Sequence, residues 1–277
     1  MNDVKIIVFD LDGTLYDDVV HFRYYADLLK DYVAEDKQEQ FEADYNAVLK
    51  GQHSLKIGRA YDAKRDLILS HLNGVVQKAY NWNGEEIPTE DVTTFYPEAI
   101  PFDLTSIISI GDLWWVPVTI ARHYGVTSEE AYACFMQTRE HMMTEEFQLN
   151  PHEQFREVLQ SLHKKYTLVL LTNSPQSDSD VIIEKLGFTS YFQEKFFEAQ
   201  KPIKTKVRFS NIAEKFDVSY EEILSIGDNY INEIFPAVEL GCKTIYIDAH
   251  GAGAGDSHTT TVSNLTELSK VLREKLL

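Results

Sequence analysis

From Pro151 to the C-terminus, short apolar runs alternate with stretches of helical spacing, and that alternation leaves few folds open. Phe155, Val158, Leu159 and Leu162 recur at helical spacing, and Thr167–Leu171 follows as a short, nearly all-apolar run. Ser177 and Asp180 have the spacing of a capping box ahead of Ile182, Ile183 and Leu186, with Gly187 as the stop. Val207, Ile212, Ala213 and Phe216 mark another helix. Residues 223–226 read as a strand, 231–240 as a helix stopped by Gly241, 244–247 as a strand and Leu265–Leu276 as a last helix. Strands apolar on both faces and separated by helices belong in a parallel sheet covered on both sides. We therefore expect an α/β fold with a doubly wound parallel sheet. Residues 4–9 have the same apolar character and should join it.

The segment 17–150 lacks this alternation and is expected to form a separate, mainly helical domain inserted into a core made of 1–16 and 151–277. Within it, 22–52 reads as one or two amphipathic helices and 59–71 as another helical stretch. Asn83-Gly84 suits a hairpin turn, and Thr127 with Glu130 suits a capping box before a further helix. The glycine-rich 251–255 reads as a loop, because its spacing fits no phosphate-binding motif.

Composition narrows the partners. With 26 basic and 44 acidic residues the formal charge is −18, which disfavours nucleic acid and anionic membranes. Cys134 and Cys242 fit no metal-ligand spacing and read as buried thiols in a reducing compartment. A core strand so near Met1 leaves no room for a signal peptide, and no apolar run is long enough to span a bilayer, so a cytoplasmic protein is expected. The sequence carries no signal of oligomeric state.

Ligands of open parallel sheets bind at the carboxyl ends of strands, near the point where strand order reverses. Three strands here end in reactive polar residues: the first in Asp10 and Asp12, the second in Thr172 and Asn173, the third in Asp228. Two carboxylates two residues apart repel, so a bound cation or a proton on one of them is needed to hold both there. Lys201-Pro202 lies on the connection before the third strand.

This set resembles the haloacid dehalogenase (HAD) superfamily. Asp10-Leu11-Asp12-Gly13-Thr14 matches its first motif, Thr172 its second, Lys201 with the following Pro its third, and Gly227-Asp228 with a later acid, Glu233, its fourth. The family's inserted cap domain falls where 17–150 lies. The resemblance implies a phosphatase that passes through an aspartyl-phosphate. Asp10 would be the nucleophile and Asp12 the acid and then base, while Thr172, Asn173 and Lys201 would hold the phosphate. Mg²⁺ would be bound by Asp10, Asp228 and the Asp12 carbonyl, since hard oxygen ligands suit it. Glu233 stands where the family carries Asp and is expected to act as a distant or weak ligand. A phosphomutase, a phosphonate-cleaving relative and a catalytically idle binding protein are the alternatives. Asp12 weighs against dehalogenation and the intact acids and Lys201 against an idle protein. The substrate would be a small phosphorylated metabolite. Tyr16 is expected near it, and Arg59, Arg65 and Trp114 are candidates for its non-phosphate part, against the plainer reading of solvated or packing side chains.

Overall fold

A computed structural model describes residues 1, 3–253 and 259–277. In chain order the strands are β1 (Ile6–Phe9), β2 (Ala60–Asp62), β3 (Leu67–Leu72), β4 (Val75–Tyr80), β5 (Ile107–Ser109), β6 (Thr167–Leu171), β7 (Glu194–Phe196), β8 (Ile223–Gly227), β9 (Lys243–Ile247) and β10 (Thr259–Val262). The α-helices are α1 (Val20–Tyr32), α2 (Gln38–Leu49), α3 (Thr89–Phe95), α4 (Trp115–His123), α5 (Ser128–Met143), α6 (Glu153–Leu162), α7 (Gln176–Leu186), α8 (Thr205–Phe216), α9 (Phe235–Glu239) and α10 (Leu265–Leu276). They form two compact units, 1–18 with 140–277, and 19–139.

The first unit holds a six-stranded parallel sheet in the order β10-β9-β8-β1-β6-β7. The chain leaves β1 outward through β6 and β7, then returns to the far side of β1 for β8, so strand order reverses around β1. Both faces of β1 are buried, and its successive side chains point opposite ways. Ile6 and Val8 pack with Phe209 and Ile212 of α8 and Ala237 of α9. Phe9, on the other face, meets Phe155 of α6 edge-on at 6.3 Å between centroids. Gly187 ends α7 in a left-handed conformation (φ 77°).

Several local expectations need correction. Segment 59–71 is not helical: it forms β2, a turn and most of β3, in a four-stranded antiparallel sheet ordered β4-β3-β2-β5. Its apolar pattern has period two. Tyr61, Ile68 and Ile108 face one core with α1, α2 and α4, whereas Ala60, Leu67, Leu69 and Ile107 face another with Val92 of α3. Asp66 at φ 55° turns the chain out of any helix. Asn73-Gly74, both at positive φ, turns β3 into β4, the residue pair that such hairpins favour. Asn83-Gly84 also reverses the chain, with Tyr80 and Glu86 bridged antiparallel. Helical residues nevertheless outnumber strand residues in the 19–139 unit. α7 begins at Gln176 behind Pro175, with no side-chain cap, so Ser177 and Asp180 form no capping box. Thr127 and Glu130 do form one. Residues 230–234 form a π-helical turn ahead of the short α9. The edge strands β7 and β10 carry no apolar run and had no signal in the pattern. Of the glycine-rich loop, residues 254 and 255 lie outside the described residues. Both cysteines are free and buried. No helix among the described residues is long and apolar enough to cross a membrane.

Two outcomes test this packing. Leu170→Ala, at a fully buried position of β6, should lower unfolding free energy by about 3 kcal/mol in urea titrations. His71 of β3 is buried enough to push its imidazole down to about 4. The fold thus favours the neutral ring, and this stability is whole above an unfolded pKa of about 6.5 and drains as pH falls toward 4. Wild type should therefore lose more stability than His71→Gln between pH 7 and pH 4.5.

Candidate active site

Parallel pairing brings three strand ends together. Phe9 is level with Leu170 of β6 and Ile226 of β8, and the Asp10 N–H donates to the Ile226 carbonyl at 3.1 Å. The residues that follow each strand, Asp10, Thr172 and Asp228, therefore crowd one end of the sheet beside the switch in strand order.

Lys201 anchors the cluster. Its side chain is 2% exposed, and its Nζ donates to Asp10 Oδ1 at 2.6 Å and Glu233 Oε1 at 2.7 Å. Burial alone would push the ammonium down, but Asp10 and Glu233 outweigh it and hold its pKa above the ordinary lysine value. Burial raises the Asp10 carboxyl; Lys201 opposes that shift and Asp12 adds to it. The other Glu233 oxygen accepts from the Asn229 N–H at 2.9 Å. Glu233 thus faces Lys201 and the π-helical turn that carries it, and both carboxylate oxygens are engaged there. Gly227 is required for this approach, because a Cβ there would lie 2.6 Å from Glu233 Cγ. Of the neighbouring lysines, Lys206 pairs with Glu239 at 3.0 Å and Lys204 is exposed.

The side chains expected to hold phosphate divide. Thr172 is buried, and its Oγ1 accepts from the Ser174 N–H at 3.1 Å, which leaves its O–H to donate. Asn173 points elsewhere: its Oδ1 accepts from the Lys201 N–H at 2.7 Å and its Nδ2 donates to the Lys201 carbonyl at 3.0 Å. An amide matches a peptide group in this two-point way, so the Asn173 side chain fixes the Lys201 backbone. Tyr16 lies beside Asp12. It is buried, and its hydroxyl donates to Asp12 Oδ1. Ser174, which sequence reasoning missed, donates to Asp12 Oδ2 at 2.9 Å. Its signal was available, since a residue two beyond Thr172 at a strand end points the same way.

The donors suit a hard divalent cation. Asp10 and Asp228 follow paired strands, and Gly13, at φ 77°, leaves the room that Asp228 fills: a Cβ on Gly13 would lie 2.1 Å from Asp228 Oδ2. Among the described residues no three His, Cys, Asp or Glu side chains converge as a cage. Two carboxylates, a carbonyl and waters are what Mg²⁺ accepts, since it keeps much of its hydration. In the 19–139 unit, Arg59 donates to the Ser54 carbonyl at 2.6 Å and lies 4.7 Å from the Tyr80 ring centroid. Arg65 pairs with Asp62 at 3.0 Å. Trp114 packs among His21, Phe22, Tyr25 and Phe135, and Trp82 stacks on His123 at 3.8 Å.

Known proteins agree with this frame. A phosphoglycolate phosphatase of Vibrio parahaemolyticus is 31% identical over 126 residues, 42% of this chain and about half (54%) of that relative. A predicted phosphoglycolate phosphatase from Haemophilus somnus shares the fold with TM-score 0.53 and 18% identity over 98% of this chain and 99% of its own. YfnB of Bacillus subtilis, a HAD-hydrolase whose structure has magnesium bound, aligns with TM-score 0.52 and 16% identity over 97% of this chain and 98% of its own. The model of haloacid dehalogenase-like hydrolases matches residues 4–237. With that match spanning most of its length, the chain belongs to the haloacid dehalogenase-like hydrolase family.

Proposed function

We propose that this hydrolase is a Mg²⁺-dependent phosphatase acting on a small phosphorylated metabolite through an aspartyl-phosphate. The observation that carries the reading is a division between two carboxylates at one strand end: Asp10 is buried against Lys201, and Asp12 is held by two hydroxyls. A halide needs no proton to leave, whereas an alkoxide does, so the second carboxylate favours phosphate esters over haloacids.

In the first step an Asp10 oxygen attacks phosphorus, the ester P–O bond breaks, and the Asp12 carboxyl passes its proton to the departing alkoxide. In the second, Asp12 takes a proton from water as the water oxygen attacks the acyl phosphate. The bond from Asp10 to phosphorus then breaks, and inorganic phosphate and the Asp10 carboxylate are restored. Lys201 offsets charge on Asp10 and the phosphoryl oxygens, and the Thr172 hydroxyl has a hydrogen to donate to one of them. Asp10, Asp228 and the Asp12 carbonyl would hold Mg²⁺, which when bound supplies positive charge to the phosphoryl oxygens. The Vibrio relative makes phosphoglycolate the first substrate to try.

The purified protein should release phosphate from phosphoglycolate or p-nitrophenyl phosphate only with Mg²⁺ and without an added bisphosphate, and a chelator should stop it reversibly. Asp10→Asn should lower that turnover at least about a thousandfold; retained turnover would sink the assignment. Gly13→Ala should displace Asp228 and raise the Mg²⁺ concentration needed for half-activation by about tenfold or more, read from a Mg²⁺ titration of activity.

A further inference from the structure

Asp12 is held at both ends of its carboxylate. Tyr16, four residues on in the first loop, donates its hydroxyl to Oδ1, and Ser174, from the loop after β6, donates to Oδ2 at 2.9 Å. Neither hydroxyl is idle surface: Tyr16 is 1% exposed and Ser174 4%. The Asp12 main chain is also bridged to Tyr16, and the Ser174 N–H donates to Thr172 Oγ1 at 3.1 Å. Ser174 therefore couples the residue proposed to touch phosphate to the residue proposed to move the proton.

An aspartate turns about its side-chain bonds unless it is held, and a proton donor must lie within hydrogen-bond reach of the departing oxygen. Two fixed donors, one per oxygen, select one carboxylate plane. Both partners are hydroxyls, which rotate and can accept as well as donate. They can therefore follow Asp12 through its protonated and ionised forms without a change of charge. A lysine or arginine in either place would favour the ionised form alone.

We propose that Tyr16 and Ser174 are positioning residues for the proton-transfer carboxylate Asp12, with Tyr16 acting on catalysis through Asp12 and not as a substrate contact. The proposal rests on the phosphatase reading. It ties these residues to the leaving group: their loss weighs most on a substrate whose departing alkoxide needs a proton, and in the first step least on one whose phenolate leaves unaided.

The test compares wild type, Tyr16→Phe, Ser174→Ala and Ser174→Thr on phosphoglycolate and p-nitrophenyl phosphate, with thermal unfolding as the control for folding. Tyr16→Phe and Ser174→Ala should lower kcat for phosphoglycolate roughly ten- to a hundredfold, with KM within about twofold of wild type. Ser174→Thr, which keeps the hydroxyl, should recover much of it. On p-nitrophenyl phosphate the variants should show a burst of one nitrophenolate per enzyme before a slower steady state, because Asp12 is still needed to activate water. A rise in KM with kcat unchanged would make Tyr16 a substrate contact and overturn the proposal. So would equal losses on both substrates without a burst, or no loss in a folded variant. A wild type inactive on both substrates would instead remove the phosphatase reading and this proposal with it.

Discussion

A lysine ammonium in the interior has to be matched by negative charge, and the core unit is organised around that requirement at Lys201. An unpaired ion there would cost several kcal/mol. Two carboxylates meet it, one from the strand end at Asp10 and one from the π-helical turn at Glu233. Each brings its own scaffold. Asp10 is placed by β1, pinned between β6 and β8. Glu233 is placed by a turn whose closeness to β8 needs a residue without a side chain at Gly227. Asn173 then fixes the lysine's own backbone. The charge requirement and this backbone anchor together link four segments far apart in sequence.

The same logic separates the two aspartates of the first loop. Asp10 is matched by the Lys201 ammonium, whereas each carboxylate oxygen of Asp12 accepts from a hydroxyl, that of Tyr16 or of Ser174. A carboxylate beside a permanent positive charge is suited to attack, and one among hydroxyls is suited to gaining and losing a proton. Two residues of one type, two apart in sequence, thus have partners of different charge, an ammonium for one and hydroxyls for the other.

Much of the core was legible in the sequence because buried parallel strands advertise themselves. Thr167–Leu171 appears with the bounds read from its apolar run, and β1, β8 and β9 differ only at their ends. The edge strands were not legible, because Glu194-Lys195-Phe196 and a threonine run have solvent on one side and need no apolar pattern. In the 59–71 stretch, charges at Lys64, Arg65 and Asp66 fall in a turn between short strands and imitate the polar face of a helix. At the site, motif spacing pointed to the residues but not to what each side chain does. Asn173 and Tyr16 read as ligand-facing because they adjoin the motif residues Thr172 and Asp12. The partners that claim them, the Lys201 backbone and the Asp12 carboxylate, are set by tertiary contact that no local pattern encodes.

The position of β1 in the sheet has a bearing on how the protein comes together. Its neighbours are made long after it: Ile6 pairs with Thr167 on one side and Ile223 on the other. The outer strands find partners close behind them, β7 beside β6 and β9 beside β8. The strand that leads into the aspartates is therefore made well before its partners and waits longest for its ladder. Meanwhile the whole of 19–139, with two apolar clusters of its own, is synthesised. Loop closure over so long a span is slow, and an apolar segment left unpaired in a nascent chain is a natural binding site for a chaperone.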